Sequence, residues 1–151
     1  MEERVRVNRA PFSVAPPFIC TRYDLVMSEQ NDSLIYLVKA EESLFGAESE
    51  YANRRFQNCA NRAYYACYQA AVAALLDADI RPSGSRWGHN TVQAQFVGEL
   101  INRRKRYPAD LRDTFERLVI LRQTADDAAD FVSEIQAARS VRRARTFVAA
   151  V

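Results

Sequence analysis

Apolar residues recur at helical spacing through most of the chain. Between about 28 and 46, Leu34, Leu37, Val38, Leu44 and Phe45 fall three, four and seven positions apart and predict a first helix. A second helix, from about 49 to 78, carries a stripe of Phe56, Ala60, Ala63, Cys67, Ala70 and Ala74, with Tyr64, Tyr68 and Leu75 beside it. The stretch "DADIRPSGSRWGHN" breaks the period with Pro and Gly and predicts a loop. Asn90 followed by Gln93 has the spacing of a capping pair, opening a third helix with Val92, Phe96 and Leu100 inward. "NRRKRYP" ends that helix, and Pro108 suits the start of a fourth. The fourth has an inward stripe of Leu111, Phe115, Leu118, Arg122, Ala125 and Ala129. Ser133 and Gln136 repeat the capping spacing before a fifth helix, with Ala137, Val141, Ala144, Val148 and Val151 on one face. No segment sustains strand alternation. The pattern predicts an all-α fold, an up-and-down bundle of four to five helices over 28–151. An extended N-terminal arm is expected over 1–27, where "APFSVAPPF" holds three of the five prolines.

Length and composition narrow the class. At 151 residues, 48% apolar and 26% charged, the chain has the size and balance of a single globular domain. No apolar run approaches the roughly 20 residues a membrane helix needs. The first residues open with acids and lack the apolar centre of a signal peptide, so a cytoplasmic protein is expected. Cys20, Cys59 and Cys67 show no metal-binding spacing and a single His cannot complete a zinc site, so neither metal nor cofactor is expected. Net charge is only +2, but the cations are 19 Arg and 2 Lys. Arg is the planar donor suited to carboxylates and phosphates, which points weakly to RNA or a nucleotide.

Polar side chains interrupt two of the apolar faces. "NRAYYACYQAAVAALL" sets Asn61, Arg62, Tyr64 and Tyr65 among small residues, and Arg122 occupies an inward position on the fourth helix. A guanidinium withdrawn from water must be paired and hydrogen-bonded. Asp126, one turn on, is the aligned partner, with Asp127 a less well-placed one. Two readings follow: an internal network that fixes helix register, or an anion- or RNA-binding cleft lined by Arg and Tyr. His89, in the loop beside Trp87, reads as a capping or surface residue, or as a catalytic one. Two basic runs, Asn102–Arg106 and Arg142, Arg143 and Arg145, are either solvated helix ends and faces or grips for phosphates. The small-residue stripe Ala63, Cys67 and Ala70 permits close helix approach, in the subunit core or at a dimer interface.

In order and spacing, "NRAYYACYQAAVAALL", "GHNTVQAQF", "LRQTADDAADF" and a final helix ending "ARTFV" resemble the HEPN domain (higher eukaryotes and prokaryotes nucleotide-binding). The likeness is greatest to small stand-alone bacterial members and covers about 28–151. It implies a helical bundle, often dimeric, in which two copies form a composite cleft. Many members of the family are metal-independent RNases, frequently toxins paired with a small nucleotidyltransferase in toxin–antitoxin or phage-defence loci. Active members carry an Arg followed four to six residues later by His on the fourth helix. Here Arg122 matches, but Asp126, Asp127, Ala128 and Ala129 follow, and no His occurs after His89. The tyrosine that paired nucleotidyltransferases modify would fall at Ala129 and is absent.

The departure has a chemical consequence. Cleavage through a 2′-hydroxyl needs a base titrating near neutrality, and a carboxylate beside a guanidinium is a poor one. The sequence is therefore read as a non-catalytic or weakly active HEPN-like protein that binds nucleotide, RNA or a partner through Asn61, Arg62, Tyr64, Tyr65 and Arg122, as a homodimer. One alternative is a metal-independent endoribonuclease using Arg122 with Asp126, Asp127 or His89. The other is a structural partner of a small nucleotidyltransferase.

Overall fold

The computed structural model of the chain describes the backbone of residues 22–127 and 129–151 and the side chains of residues 32–127 and 129–151. All regular structure among the described residues is helical: α1 (Arg22–Ala52), α2 (Phe56–Asp77), α3 (His89–Gln95), which runs on as a π-helix over Phe96–Arg103, α4 (Asp110–Asp127) and α5 (Glu134–Ala150). The all-α bundle expected from the periodicity is the observed fold.

Most of the expected extended arm lies outside the described residues, but its end does not. Residues 22–27 belong to α1, which starts before the expected position 28 and runs past the expected end near 46. Residues 49–52, expected in the second helix, complete α1 instead. The reversal falls at Asn53–Arg55, where Arg54 takes a left-handed φ of 59° and Arg54 N–H bonds the Tyr51 carbonyl at 2.9 Å. Neither Gly nor Pro marks this turn; its one sequence signal is Asn53, whose side chain donates to the Ser49 carbonyl at 2.8 Å.

Helix α2 is the central element and packs on α1, α4 and α5. Its small residues make this possible. Ala60, Ala63, Cys67, Ala70 and Ala71 are fully buried, letting neighbouring backbones come close on several sides. The stripe Ala63, Cys67 and Ala70 thus serves the subunit core and is not available to a second copy. Larger side chains fill the wider end: Phe96, Phe115 and Phe147 meet with ring centroids 5.1–6.3 Å apart. Fully burying such rings contributes roughly 1.5–3 kcal/mol each. Cys59 and Cys67 are buried thiols, and burial pushes the pKa of both up.

Capping divides into one expected result and one correction. At α5, the Ser133 side chain accepts from Gln136 N–H at 3.2 Å, and the Gln136 side chain accepts from Ser133 N–H at 2.8 Å. At α3, the N-cap is Gly88 with no side-chain cap, and Asn90 lies exposed inside the helix and caps nothing. The helix starts earlier because Tyr68 of α2 holds the preceding loop by the Trp87 carbonyl. At the other end of this element, Arg104 N–H reaches the Glu99 carbonyl at 2.9 Å, the five-residue reach of a π-helix. Helix α4 ends at Asp127, so Ala129, expected on its inward stripe, is exposed beyond it. No helix among the described residues is long and apolar enough to cross a membrane.

Candidate functional site

Asn61, Tyr64, Tyr65 and Tyr68 sit three, four and seven positions apart on α2 and therefore share one side of it. That side faces α4 and the loop after α2. Tyr64 is 2% exposed, whereas Tyr65 and Tyr68 are half-buried. Arg122 of α4 comes over this aromatic surface, its guanidinium carbon 5.2 Å from the Tyr64 ring centroid and 5.9 Å from that of Tyr65. Its Nε donates to Asp126 Oδ2 at 3.1 Å, the pairing expected from their one-turn separation. Asn61 donates its side-chain N–H to the other oxygen of Asp126. The Arg122 and Asp126 side chains each keep about 30% of their surface in solvent, 31% and 30%, so this is a rim pair and not a deeply buried one.

His89 completes the cluster from a distant point of the chain. The Tyr68 hydroxyl donates to the Trp87 carbonyl at 2.9 Å, fixing the loop two residues before His89. The imidazole then stacks on Tyr68 with centroids 4.5 Å apart and an interplanar angle of 29°. It also lies edge-on to Tyr65 at 5.9 Å, and its Nδ1 is 2.6 Å from the Tyr64 hydroxyl. Burial and the nearby charge of Arg122 both hold the His89 pKa below its ordinary 6.5, which leaves the ring neutral near pH 7. Burial pushes the Tyr64 phenol up to about 12, against the opposing pull of Arg122, so it stays protonated.

The structure therefore brings together Asn61, Tyr64, Tyr65, His89, Arg122 and Asp126. Two other candidates stand apart. Arg62 is exposed and lines a neighbouring cavity of about 380 Å³ with Glu50, Asn58, Asn61 and Tyr65. Asp127 is exposed at the end of α4. The sequence pattern puts Tyr68 on an apolar stripe and outside the site, yet this residue seats His89. Its position seven residues after Asn61, on the same helix face as Tyr64 and Tyr65, was the available signal. The run Asn102–Arg106 is engaged within the subunit. Arg103 pairs with Glu99, Arg104 donates to the Ala78 carbonyl at the end of α2, and Arg106 pairs with Asp77.

This arrangement defines a helical protein with an Arg, aromatic and imidazole surface at the junction of α2, α3 and α4. Among the described residues no group of His, Cys, Asp and Glu is placed to hold a metal ion. The HEPN domain family matches residues 34–151, and the chain belongs to it. No curated protein matches the chain at a significant level.

Proposed function

We propose that this protein binds single-stranded RNA through the Arg122, Tyr65 and His89 surface, with little or no cleavage of its own. The observation that carries this reading is the placement of a partly exposed guanidinium over two tyrosine rings, beside an exposed neutral imidazole. Aromatic faces stack unpaired bases, and Arg contributes both stacking and charge. Asp126 uses only part of a guanidinium that carries five N–H donors, which leaves capacity for a phosphate oxygen.

The hydrogen-bond polarity favours binding over catalysis. We infer this polarity from Arg122, whose positive charge favours a phenol oxygen facing it and a phenol hydrogen facing His89 Nδ1. Nδ1 then accepts, and the imidazole proton sits on Nε2. In that tautomer His89 offers a donor to phosphate, but it has no free lone pair for a 2′-hydroxyl proton.

A weak metal-independent endoribonuclease is the second reading, and the seating of His89 in the Arg122 cluster favours it. It requires the other tautomer, with Nε2 taking the 2′-hydroxyl proton while Arg122 faces the phosphate. Purified protein, a labelled single-stranded RNA and EDTA separate the two. Salt-sensitive binding without cleavage is expected. Cleavage by the wild type that is lost in both Arg122→Ala and His89→Gln would overturn the leading reading.

The family resemblance supports a toxin–antitoxin or phage-defence setting with a small nucleotidyltransferase as partner. It also supports a homodimer. Because Ala63, Cys67 and Ala70 are buried in the subunit, the face for a second copy lies elsewhere; Leu34, Val38 and Phe45 form an exposed apolar stripe on α1. Light scattering that gave the monomer mass of 17.2 kDa would exclude the dimer.

A further inference from the structure

Arginines on the described surface divide between those that meet a carboxylate and those that do not. Arg54, Arg55, Arg103, Arg106, Arg122 and Arg145 each meet a carboxylate. Arg117, Arg139, Arg142 and Arg143 form no ion pair among the described residues, and they are neighbours. Arg117 from α4 and Arg139 and Arg143 from α5 line one groove of about 280 Å³. Its lining includes Ile120 and Leu121, and Thr124 and Gln136 add hydrogen-bonding groups. The pKa of Arg143 is lowered by partial burial and by the like charges of Arg117, Arg139 and Arg142, in keeping with their closeness. Arg145 on the same helix is paired with Glu48 of α1, so α5 as a whole is not short of carboxylate partners.

Guanidiniums lining one groove repel one another, and no carboxylate lines it with Arg117, Arg139 and Arg143. We infer that the α4–α5 groove is a second RNA contact, taking the phosphate backbone between Arg117 on one wall and Arg139 and Arg143 on the other. This rests on the RNA-binding reading above and adds a surface to it. Arg117 and Arg122 are five residues apart on α4, and their directions differ by roughly 140° around the helix, so the groove is distinct from the Tyr64–His89 surface. The residue types favour nucleic acid over an acidic protein. Arg117 stands on α4 and Arg139 and Arg143 on α5, and Ile120 and Leu121 add apolar surface against which a ribose or base can lie. Arg139 and Arg143 are one turn apart, so successive phosphates can meet successive cations. Arg, more than Lys, suits planar two-point contact with phosphate.

The test uses the full chain and a fluorescent single-stranded RNA of about 20 nucleotides, with EDTA, titrated from about 50 to 300 mM salt. The double variant Arg139→Gln with Arg143→Gln should weaken binding by about tenfold or more and reduce the salt slope by about 1.4, at about 0.7 for each phosphate no longer neutralised. Arg145→Gln should leave the slope unchanged. The single variant Arg139→Gln, at an exposed position, should lower the slope by about 0.7 and provides the measurement should the double variant fail to fold. An unchanged slope in the groove variants, with binding abolished in Arg122→Ala, would overturn the groove and leave the RNA-binding reading standing. Absence of salt-sensitive RNA binding by the wild type would overturn both. In that case, a rise in melting temperature with poly-glutamate that the double variant lacks would assign the groove to an acidic protein instead.

Discussion

The Tyr64 hydroxyl and His89 Nδ1 lie 2.6 Å apart, joining a buried side chain of α2 to the first residue of α3 across 25 positions of sequence. This contact couples two groups with displaced titrations. The phenol is held protonated by burial, and the imidazole is held neutral by burial and by Arg122. Each restricts what the other can do.

The His89 titration should be visible in both spectroscopy and stability. Its folded pKa lies below the unfolded value near 6.5, so between those two values the unfolded chain binds more protons. Stability should therefore fall as pH drops through 6.5 and level off below the folded pKa. Urea melts of wild type and His89→Gln across this range should show the acid-side loss only in the wild type. In Arg122→Ala, the NMR-observed His89 pKa should move up toward 6.5, because one of the two causes of its depression is gone.

Tyr64→Phe tests the hydrogen bond itself. The ring and its packing remain, and one hydroxyl with an exposed partner is removed, so the cost should be about 1 kcal/mol. Nitrogen NMR of the wild type should place the His89 proton on Nε2. Tyr64→Phe should allow the two tautomers to mix. A wild-type proton on Nδ1 would remove the polarity argument for a non-cleaving site.

Arg122→Ala should cost about 0.8–1.5 kcal/mol. The one-turn ion pair contributes about 0.3–0.5 kcal/mol and the cation–π contact about 0.5–1 kcal/mol at a partly exposed site. A fully buried pair would cost about 3 kcal/mol or more. Urea melts at neutral pH distinguish these values, and the larger would mean that the pair is shielded from water, unlike the rim position observed.

The end of α2 offers a stabilising substitution. Ile80 N–H bonds the Leu75 carbonyl and Asp79 N–H bonds the Leu76 carbonyl, the paired bonds of a Schellman motif. Asp79 holds the left-handed position with φ 58° and is exposed. Asp79→Gly should stabilise the protein by about 0.5–1 kcal/mol, read as a higher melting temperature with RNA binding unchanged.

The sequence by itself determined what acts within a turn or two of helix. The inward faces Leu111, Phe115 and Leu118 and Ala137, Val141 and Ala144 are buried as their spacing required, because a helix fixes which side chains share a face. The Ser133 and Gln136 box and the Arg122 and Asp126 pair formed for the same reason: their partners are three and four residues away. Tertiary structure decided the rest. The α1–α2 reversal at Arg54 lacks Gly and Pro, and the long α2 buries its small stripe inside the subunit because three helices close around it. His89 joined the site only when the loop folded back and Tyr68 held the Trp87 carbonyl. Long-range arginine pairing was equally illegible, since Arg145 finds Glu48 across 97 residues while Arg139 and Arg143 on the same helix find no carboxylate among the described residues. Periodicity specifies faces; only the packing of those faces brings distant groups within a few ångströms, and the chemistry of this site rests on such distant pairs.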